Sequence, residues 1–330
     1  MSYWNKYSKI FIFIVFFVNF AFPMEIPEEL KVSIDISAIL TNPVIGEGSE
    51  KIFYKGRFQD RLVAYSQLKF LDNVEKYRKN CARFFNEVTI LSSLDHPNIV
   101  KIYGVDLKRK ISALELGVCD LKEFITKKVF LLNGSDSCFY LPIISKLKLI
   151  KGILEGLSYL YEQRIIHRDF KHSNIIICSE EKSELCVPKL IDFSMAIKIP
   201  QNQDSVLTDR FLGTILFASP ESFTHKVLNK YVIKPSSDIY ALGFVLYFIM
   251  SGKNPSCLYS RKFRLDLPRR KIVKNILSGQ LEILDNDIIG DHRILNNEIM
   301  RCWSRNPEER PTATELLSYI NQLIGLFERL

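Results

Sequence analysis

The feature that most restricts this chain is an ordered series of short polar motifs, each set beside an apolar run. The first is Ile166-His167-Arg168-Asp169-Phe170-Lys171-His172-Ser173-Asn174. It follows a predicted helix, Leu147 to Gln163, whose Ile150, Leu154, Leu157 and Leu160 recur on one side. It precedes the strand-like run Ile175-Ile176-Ile177. Charged residues at one helix-to-strand turn are common by chance. Here the series continues in order. Asp192-Phe193-Ser194 follows Leu190-Ile191, and then come Gly213-Thr214 and Ser219-Pro220-Glu221. Asp238 opens the apolar run Ser237 to Met250, and Arg310 sits in Pro307-Glu308-Glu309-Arg310-Pro311-Thr312.

This order resembles the protein kinases, whose catalytic loop reads H-R-D-x-x-x-x-N. Phosphoryl transfer needs an aligned hydroxyl, a group to accept its proton and cations that offset phosphate charge. The resemblance makes Asp169 the catalytic base. It makes Asn174 and Asp192 the Mg²⁺ ligands, in keeping with the preference of hard cations for oxygen. Lys171 would neutralise charge on the transferring group, and a lysine there resembles serine/threonine rather than tyrosine kinases. Ser194 stands where glycine is usual, which restricts the backbone and leaves the ligand Asp192 intact. Glu221 would pair with Arg310, and Asp238 would support the catalytic loop; both roles are structural. Ser205 and Thr208 are candidates for an activating phosphate, with Arg168 as its partner.

The N-terminal part departs from the pattern. Ile45-Gly46-Glu47-Gly48-Ser49-Glu50-Lys51-Ile52-Phe53 resembles the kinase glycine-rich loop, with Lys51 in place of the third glycine. Two glycines alone are a weak signal; their position about 120 residues before Asp169 strengthens it. Val63-Ala64-Tyr65-Ser66 resembles V-A-I-K, but Ser66 occupies the lysine position. Strand alternation puts Lys51, Phe53 and Lys55 on one face, and Ala64 and Ser66 on the matching face of the next strand. Phe53 is at the position that covers adenine. Lys51 then lies nearer the loop tip, Lys55 lies beyond adenine, and Lys69 has the wrong parity. Lys51 is therefore the substitute lysine, and Glu87 in Phe84-Phe85-Asn86-Glu87-Val88 matches the helix glutamate that pairs with it. This double change resembles the with-no-lysine kinases. The alternative is an exposed strand lysine in a degenerate loop. Phe193 departs from the leucine of that family, and Cys302-Trp303 resembles the tyrosine-kinase-like group, so chloride sensing is not carried over.

The implied fold is α+β and two-lobed: one kinase domain over 36–327, with a small β-rich N-lobe at 36–116 and a larger helical C-lobe at 117–327. The residues fit. Ile52 to Tyr54, Leu62 to Tyr65, Ile99 to Val105 and Ile111 to Leu116 read as strands, with Gly56 and Asp60 in the first turn. Tyr77 to Leu94 reads as a helix, as do Ile299 to Trp303 and Ala313 to Phe327. Leu131 to Phe139 reads as a loop insertion. ATP would meet Ile45, Gly46, Gly48, Lys51, Phe53, Ala64 and Ser66. Leu114 would back the adenine, and the backbone of Glu115 to Gly117 would bond it.

Composition adds less. The net charge of +8 suits acidic partners, a membrane surface or nucleic acid without selecting one. No aromatic-rich RNA motif, zinc-finger spacing or isolated basic arm is present, so no nucleic acid is expected. The densest basic stretch, Arg261 to Lys274, reads as the solvated face of a helical region, with docking of an acidic partner as the alternative. The seven scattered cysteines form no C-x-x-C pair, which argues against a disulfide framework or zinc site and fits a reducing compartment. Residues 1–24 pull the other way. Lys6 and Lys9 precede an apolar run from Ile10, which resembles a signal peptide or signal anchor. A helix packed on the protein or lying on a membrane is the alternative. The leader points to the secretory pathway or a membrane, the cysteines to the cytoplasm, and Asn133-Gly134-Ser135 is a lone glycosylation sequon.

Two functions compete. One is an active kinase transferring the ATP γ-phosphate to serine or threonine hydroxyls of proteins. The other is a pseudokinase that binds or scaffolds, motivated by Ser66, Lys51 and Ser194.

Overall fold

Short alternating runs followed by long apolar helical runs fold as they read. The computed structural model describes residues 25–35, 39, 41–126, 141–179, 186–224, 226–227, 230–258, 269–278 and 294–329. The leader 1–24, Ile36, the 131–139 stretch with its sequon, and 261–268 of the basic stretch lie outside the described residues. The chain divides into two units, described in turn.

The first unit holds the described residues up to Asp95, with Val100–Leu116 and Asp192–Ala196. Its strands are β1 (Val44–Glu47), β2 (Lys51–Phe58), β3 (Arg61–Leu68), β4 (Ile102–Asp106) and β5 (Ile111–Glu115), with helix α1 (Val74–Leu91) after β3. They form an antiparallel sheet in the order β1-β2-β3-β5-β4. The register sets Lys51, Phe53 and Lys55 opposite Leu68, Ser66 and Ala64, and Ala64 opposite Leu114. These residues share one face. On the other face Tyr54, Val63, Tyr65, Ile111 and Ala113 pack with Ile34 and Ile39.

Several boundaries differ from expectation, among them the end of the Tyr77–Leu94 helix, which stops at Leu91, and the start of the Ile99–Val105 strand, which begins at Ile102; two others have a clear local cause. Gly56 lies inside β2 rather than in the turn, because the turn falls at Gln59-Asp60, where Gln59 takes φ +53°. Helix α1 starts at Val74 instead of Tyr77, since the Asn73 side chain accepts the Lys76 N–H at 2.8 Å and caps it there.

The second unit holds His96–Ile99, Gly117–Ile191 and the described residues from Ile197 on. In chain order it contains β6 (Cys119–Asp120), α2 (Leu121–Thr126), α3 (Ile143–Glu162), β7 (Ile165–Ile166), β8 (Ile175–Ser179), β9 (Cys186–Leu190), β10 (Ile197–Lys198) and β11 (Val206–Thr208). There follow α4 (Glu221–Thr224), β12 (Lys226–Val227), β13 (Lys230–Ile233), α5 (Pro235–Ser251), α6 (Arg269–Ser278), α7 (Asn296–Cys302) and α8 (Ala313–Phe327). Three small sheets stand among these helices: β6-β8-β9, β10-β7 and β11-β13-β12. Every residue of α5 from Asp238 to Met250 is buried, so this helix is the spine of the unit. Leu147, Ile150, Leu154, Leu157 and Leu160 of α3 are fully buried as their spacing implies. The α8 N-terminus is fixed by a capping box between Thr312 and Glu315. No helix among the described residues is long and apolar enough to cross a membrane.

Close packing sets one sharp limit on α5. A Cβ on Gly243 would stand 2.6 Å from Trp303 Nε1 and 2.9 Å from its Cδ1. Both ring atoms belong to a buried side chain that cannot swing away. Alanine gains at most about 1 kcal/mol of helix propensity over glycine, less than the overlap costs. Gly243→Ala is expected to destabilise the fold by about 1–2 kcal/mol net, read as a lower midpoint in chemical denaturation.

Candidate active site

In the second unit the loop between β7 and β8 carries the chemistry-bearing residues. Asp238, on the first turn of α5, accepts the His167 N–H at 2.7 Å through Oδ2 and the Arg168 N–H at 2.9 Å through Oδ1. Burial pushes the Asp238 carboxyl upward, opposed by His167 and Arg168. The His167 ring Nε2 lies 2.9 Å from the Ile191 carbonyl oxygen. Arg168 takes φ +67°, an uncommon left-handed conformation for a bulky residue.

Asp169 follows, and its carboxylate is closely gripped. Oδ1 accepts the Thr214 N–H at 2.8 Å and the Thr214 hydroxyl at 2.7 Å. Oδ2 accepts Lys171 Nζ at 2.6 Å and Asn174 Nδ2 at 3.2 Å. Lys171 also donates to Thr214 Oγ1 at 2.9 Å, and Asn174 Nδ2 donates to the Asp169 carbonyl at 2.9 Å. Because the Asn174 amide nitrogen faces Asp169, its Oδ1 remains for a hard cation. Gly213 makes the contact with Thr214 feasible. It takes φ +115°, and a Cβ there would lie 2.4 Å from the Arg168 carbonyl oxygen.

Below the loop, Arg310 grips Glu221 with two parallel bonds, Nη1 to Oε1 at 2.7 Å and Nη2 to Oε2 at 2.8 Å. Burial raises the Glu221 carboxyl, but Arg310 outweighs it and the net shift is downward. Arg168 differs: its Nε and Nη2 are buried without a hydrogen-bond partner. Burial brings its pKa down to about 10, with Asp238 opposing and Arg210 adding to the shift. A cavity lined by Arg168, Asp169, Thr214, Ser219 and Asp238, among others, lies at this place.

In the first unit the predicted nucleotide residues collect on one sheet face and its leading turn. Gly48 N–H donates to the Lys51 carbonyl at 2.9 Å and closes the turn, with Gly46 on β1 beside it. Ile45 is exposed, while Leu114 on β5 is buried. Glu115 ends β5, whereas Gly117 belongs to the second unit, where it packs against Ile176. Of the three lysines weighed, Lys55 is exposed and Lys69 turns back to Glu47 Oε1 at 2.5 Å and the Gly48 carbonyl at 2.7 Å. Lys51 is only 8% exposed and forms a buried ion pair with Glu87 of α1. Burial opposes its charge, but the carboxylates of Glu87, Asp192 and Glu50 outweigh that and lift its pKa above the usual value. Ser66 is buried in mid-β3, and its hydroxyl has no hydrogen-bond partner.

Asp192 carries the left-handed φ of +62° in its segment, and Ser194 Oγ donates to Asp192 Oδ1 at 2.7 Å. Ser194 itself has ordinary backbone geometry, so the missing glycine introduces no strain at that residue in this conformation. Asn86, beside Glu87 on α1, reaches the carbonyls of Phe193 (3.2 Å), Ser194 (3.3 Å) and Ala196 (3.0 Å). Sequence reasoning missed Asn86, the Thr214 contacts and the Ser194 bond. A hydroxyl two residues after the aspartate was the available signal for the last.

A family model described as the protein kinase domain matches residues 40–320. The chain belongs to the protein kinase family. ATP and Mg²⁺ are the substrate and cofactor of that family. The kinase is 28% identical over 307 residues to a probable serine/threonine-protein kinase, gdt2, of Dictyostelium discoideum, covering 92% of this chain and 17% of that protein. It is 29% identical over 312 residues to cysteine-rich receptor-like protein kinase 27 of Arabidopsis thaliana, covering 89% and 44%. It is 28% identical over 297 residues to wall-associated receptor kinase 3 of the same plant, covering 85% and 36%. The chain thus spans less than half the length of these curated relatives.

His172 is buried against Phe217 and Phe248, and its Nδ1 has no hydrogen-bond partner. Burial, then Lys122 and Lys171, bring its pKa from 6.5 to about 4, with Asp120 opposing. The folded state therefore favours neutral imidazole. Its contribution is complete above the unfolded pKa of 6.5 and is lost as pH falls towards 4, where the unfolded chain binds the proton first. Between these limits wild type is expected to lose about 3 kcal/mol of stability that His172→Asn does not lose, measured by urea denaturation across the range.

Proposed function

We propose that this chain is an active serine/threonine protein kinase in which Lys51 replaces the usual strand lysine. The observation that carries the reading is the buried Lys51–Glu87 ion pair, formed although the lysine has moved to β2. Asp169 is the base: it accepts the proton of a substrate hydroxyl as that oxygen bonds to the γ-phosphorus and the bond to ADP breaks. Lys171 neutralises charge on the transferring group, and its bonds to Asp169 and Thr214 keep it beside the reacting hydroxyl. Asn174 and Asp192 would supply oxygens for Mg²⁺, which would offset phosphate charge. Gly46, Gly48 and Lys51 meet the phosphates; Ile45, Phe53, Ala64, Ser66, Leu114, Glu115 and Gly117 line the nucleotide site. Serine/threonine preference is supported by Lys171 and by the name of the Dictyostelium relative.

A scaffold without transfer activity is the competing reading, favoured by Ser66 alone among the contacts described. Radiolabelled phosphate transfer from Mg-ATP to a generic protein separates the two. Wild type is expected to transfer phosphate, Asp169→Asn to lose at least about a hundredfold, and Lys51→Met a similar amount. Wild type no better than Asp169→Asn would remove the enzyme; full activity in Lys51→Met would remove the relocated lysine alone.

Arg168 supports an activating phosphate on Ser205 or Thr208. Its unpartnered nitrogens and the neighbouring positive charge of Arg210 offer paired donors to a phosphate. Mass spectrometry of an active preparation is expected to find phosphate on one of the two hydroxyls. An active preparation bearing none there defeats this mode of activation.

A further inference from the structure

The position of Lys51 poses a physical problem. Ser66, in the family's lysine position, sits in mid-β3 with β2 on one side and β5 on the other. Lys51 is the first residue of β2, pairing Leu68 of β3 at the end of the ladder, while the β1 register stops at Glu47 and Ile52. A lysine at the end of a ladder needs a further restraint to hold one side-chain geometry.

The neighbouring residue provides it. Glu50 forms an ion pair with Arg83 of α1, and Lys51 forms one with Glu87. Arg83 and Glu87 are four apart, so they lie on one helix face about 5–6 Å apart. Consecutive strand residues point to opposite faces. Glu50 escapes that rule because it belongs to the turn before β2. The Glu50 carbonyl accepts the Lys69 N–H at 2.8 Å, which fixes its backbone. Both members of the Glu50–Arg83 pair are partly buried, with side chains 22% and 27% exposed, so solvent screens it only in part.

The polarity of the two pairs is reversed. Sliding α1 by one turn would bring Lys51 to Arg83, exchanging an attraction for a like-charge contact. We propose that Glu50 and Arg83 are positioning residues that lock α1 in the register where Glu87 holds Lys51, a second ion pair made necessary by the lysine's move to the turn. The inference rests on the reading of Lys51 as the phosphate-gripping lysine.

The test measures binding of a fluorescent ATP analogue, with KM for ATP and kcat, in the full chain. Glu50→Gln and Arg83→Gln are each expected to weaken nucleotide binding and raise KM about three- to tenfold, with a smaller change in kcat. Arg83→Lys keeps the charge and is expected to stay within about twofold of wild type. Glu75→Gln, which removes an exposed pair with Lys79 on the same helix, is the control for surface charge. In a Lys51→Met background, Glu50→Gln is expected to add nothing, because the residue it positions is gone. Wild-type nucleotide binding in Glu50→Gln and Arg83→Gln, beside an impaired Lys51→Met, overturns the positioning pair and leaves the lysine reading standing. Effects that add in full to Lys51→Met also overturn it, since they mark a general structural role. If Lys51→Met binds and turns over like wild type, the lysine reading fails and the positioning pair fails with it.

Discussion

Asp238 is 2% exposed, and both of its carboxylate oxygens accept backbone N–H groups of the catalytic loop. An ionised carboxylate at that depth is unfavourable unless hydrogen-bonded. Two charge-assisted bonds supply the compensation, and they do so only if His167 and Arg168 present their amides together. Helix α5 is buried along its length, so the aspartate cannot shift to accommodate the loop. The loop must accommodate the aspartate. The left-handed turn at Arg168 follows, and with it the direction of Asp169. Gly213 passes against the Arg168 carbonyl and delivers Thr214 to Asp169. The geometry of the proposed base is thus inherited from a helix chosen for burial.

The readable parts of this arrangement were those set by period. Strand alternation alone places Lys51, Phe53, Ala64 and Ser66 on one face, and the register agrees. Helical spacing found α3, α5 and α8, because each has a continuous buried stripe or surface. Turn residues were less readable. Gly56 looks like punctuation between strands, yet it lies within β2, where a Cβ would meet the Tyr65 ring. Glycine marks a close approach as readily as a turn, and sequence does not separate the two.

The contacts of Thr214, Asn86 and Glu50 are not readable for a different reason. Each is a polar side chain whose partner is fixed by tertiary placement. Asn86 sits 107 positions from Phe193, and Thr214 sits 45 from Asp169. Their residue types are compatible with ordinary surface positions. No period or spacing distinguishes an amide that reaches three carbonyls from one that faces water.

The place of Lys51 beside Glu87 separates what is constrained from what is free. Glu87 is 4% exposed on a helix anchored by buried Phe84, Val88 and Leu91. Left alone, a carboxylate at that depth is an uncompensated charge, a loss of about 3–5 kcal/mol when a buried pair is broken. Ser66 cannot supply the missing cation. The cation must therefore come from elsewhere on the same sheet face. Parity leaves Lys51 and Lys55; Lys55 is exposed, and Lys51 meets Glu87. Burial outweighs Lys51 and leaves the Glu87 carboxyl above the usual carboxylate range, so a positive group there is favoured, and it need not stand on β3. A chain that loses the strand lysine keeps its ion pair only if the new lysine is held as firmly as the old one was by its ladder. At the edge of a turn, that firmness has to come from side chains, and the Glu50–Arg83 pair stands beside Lys51 to supply it.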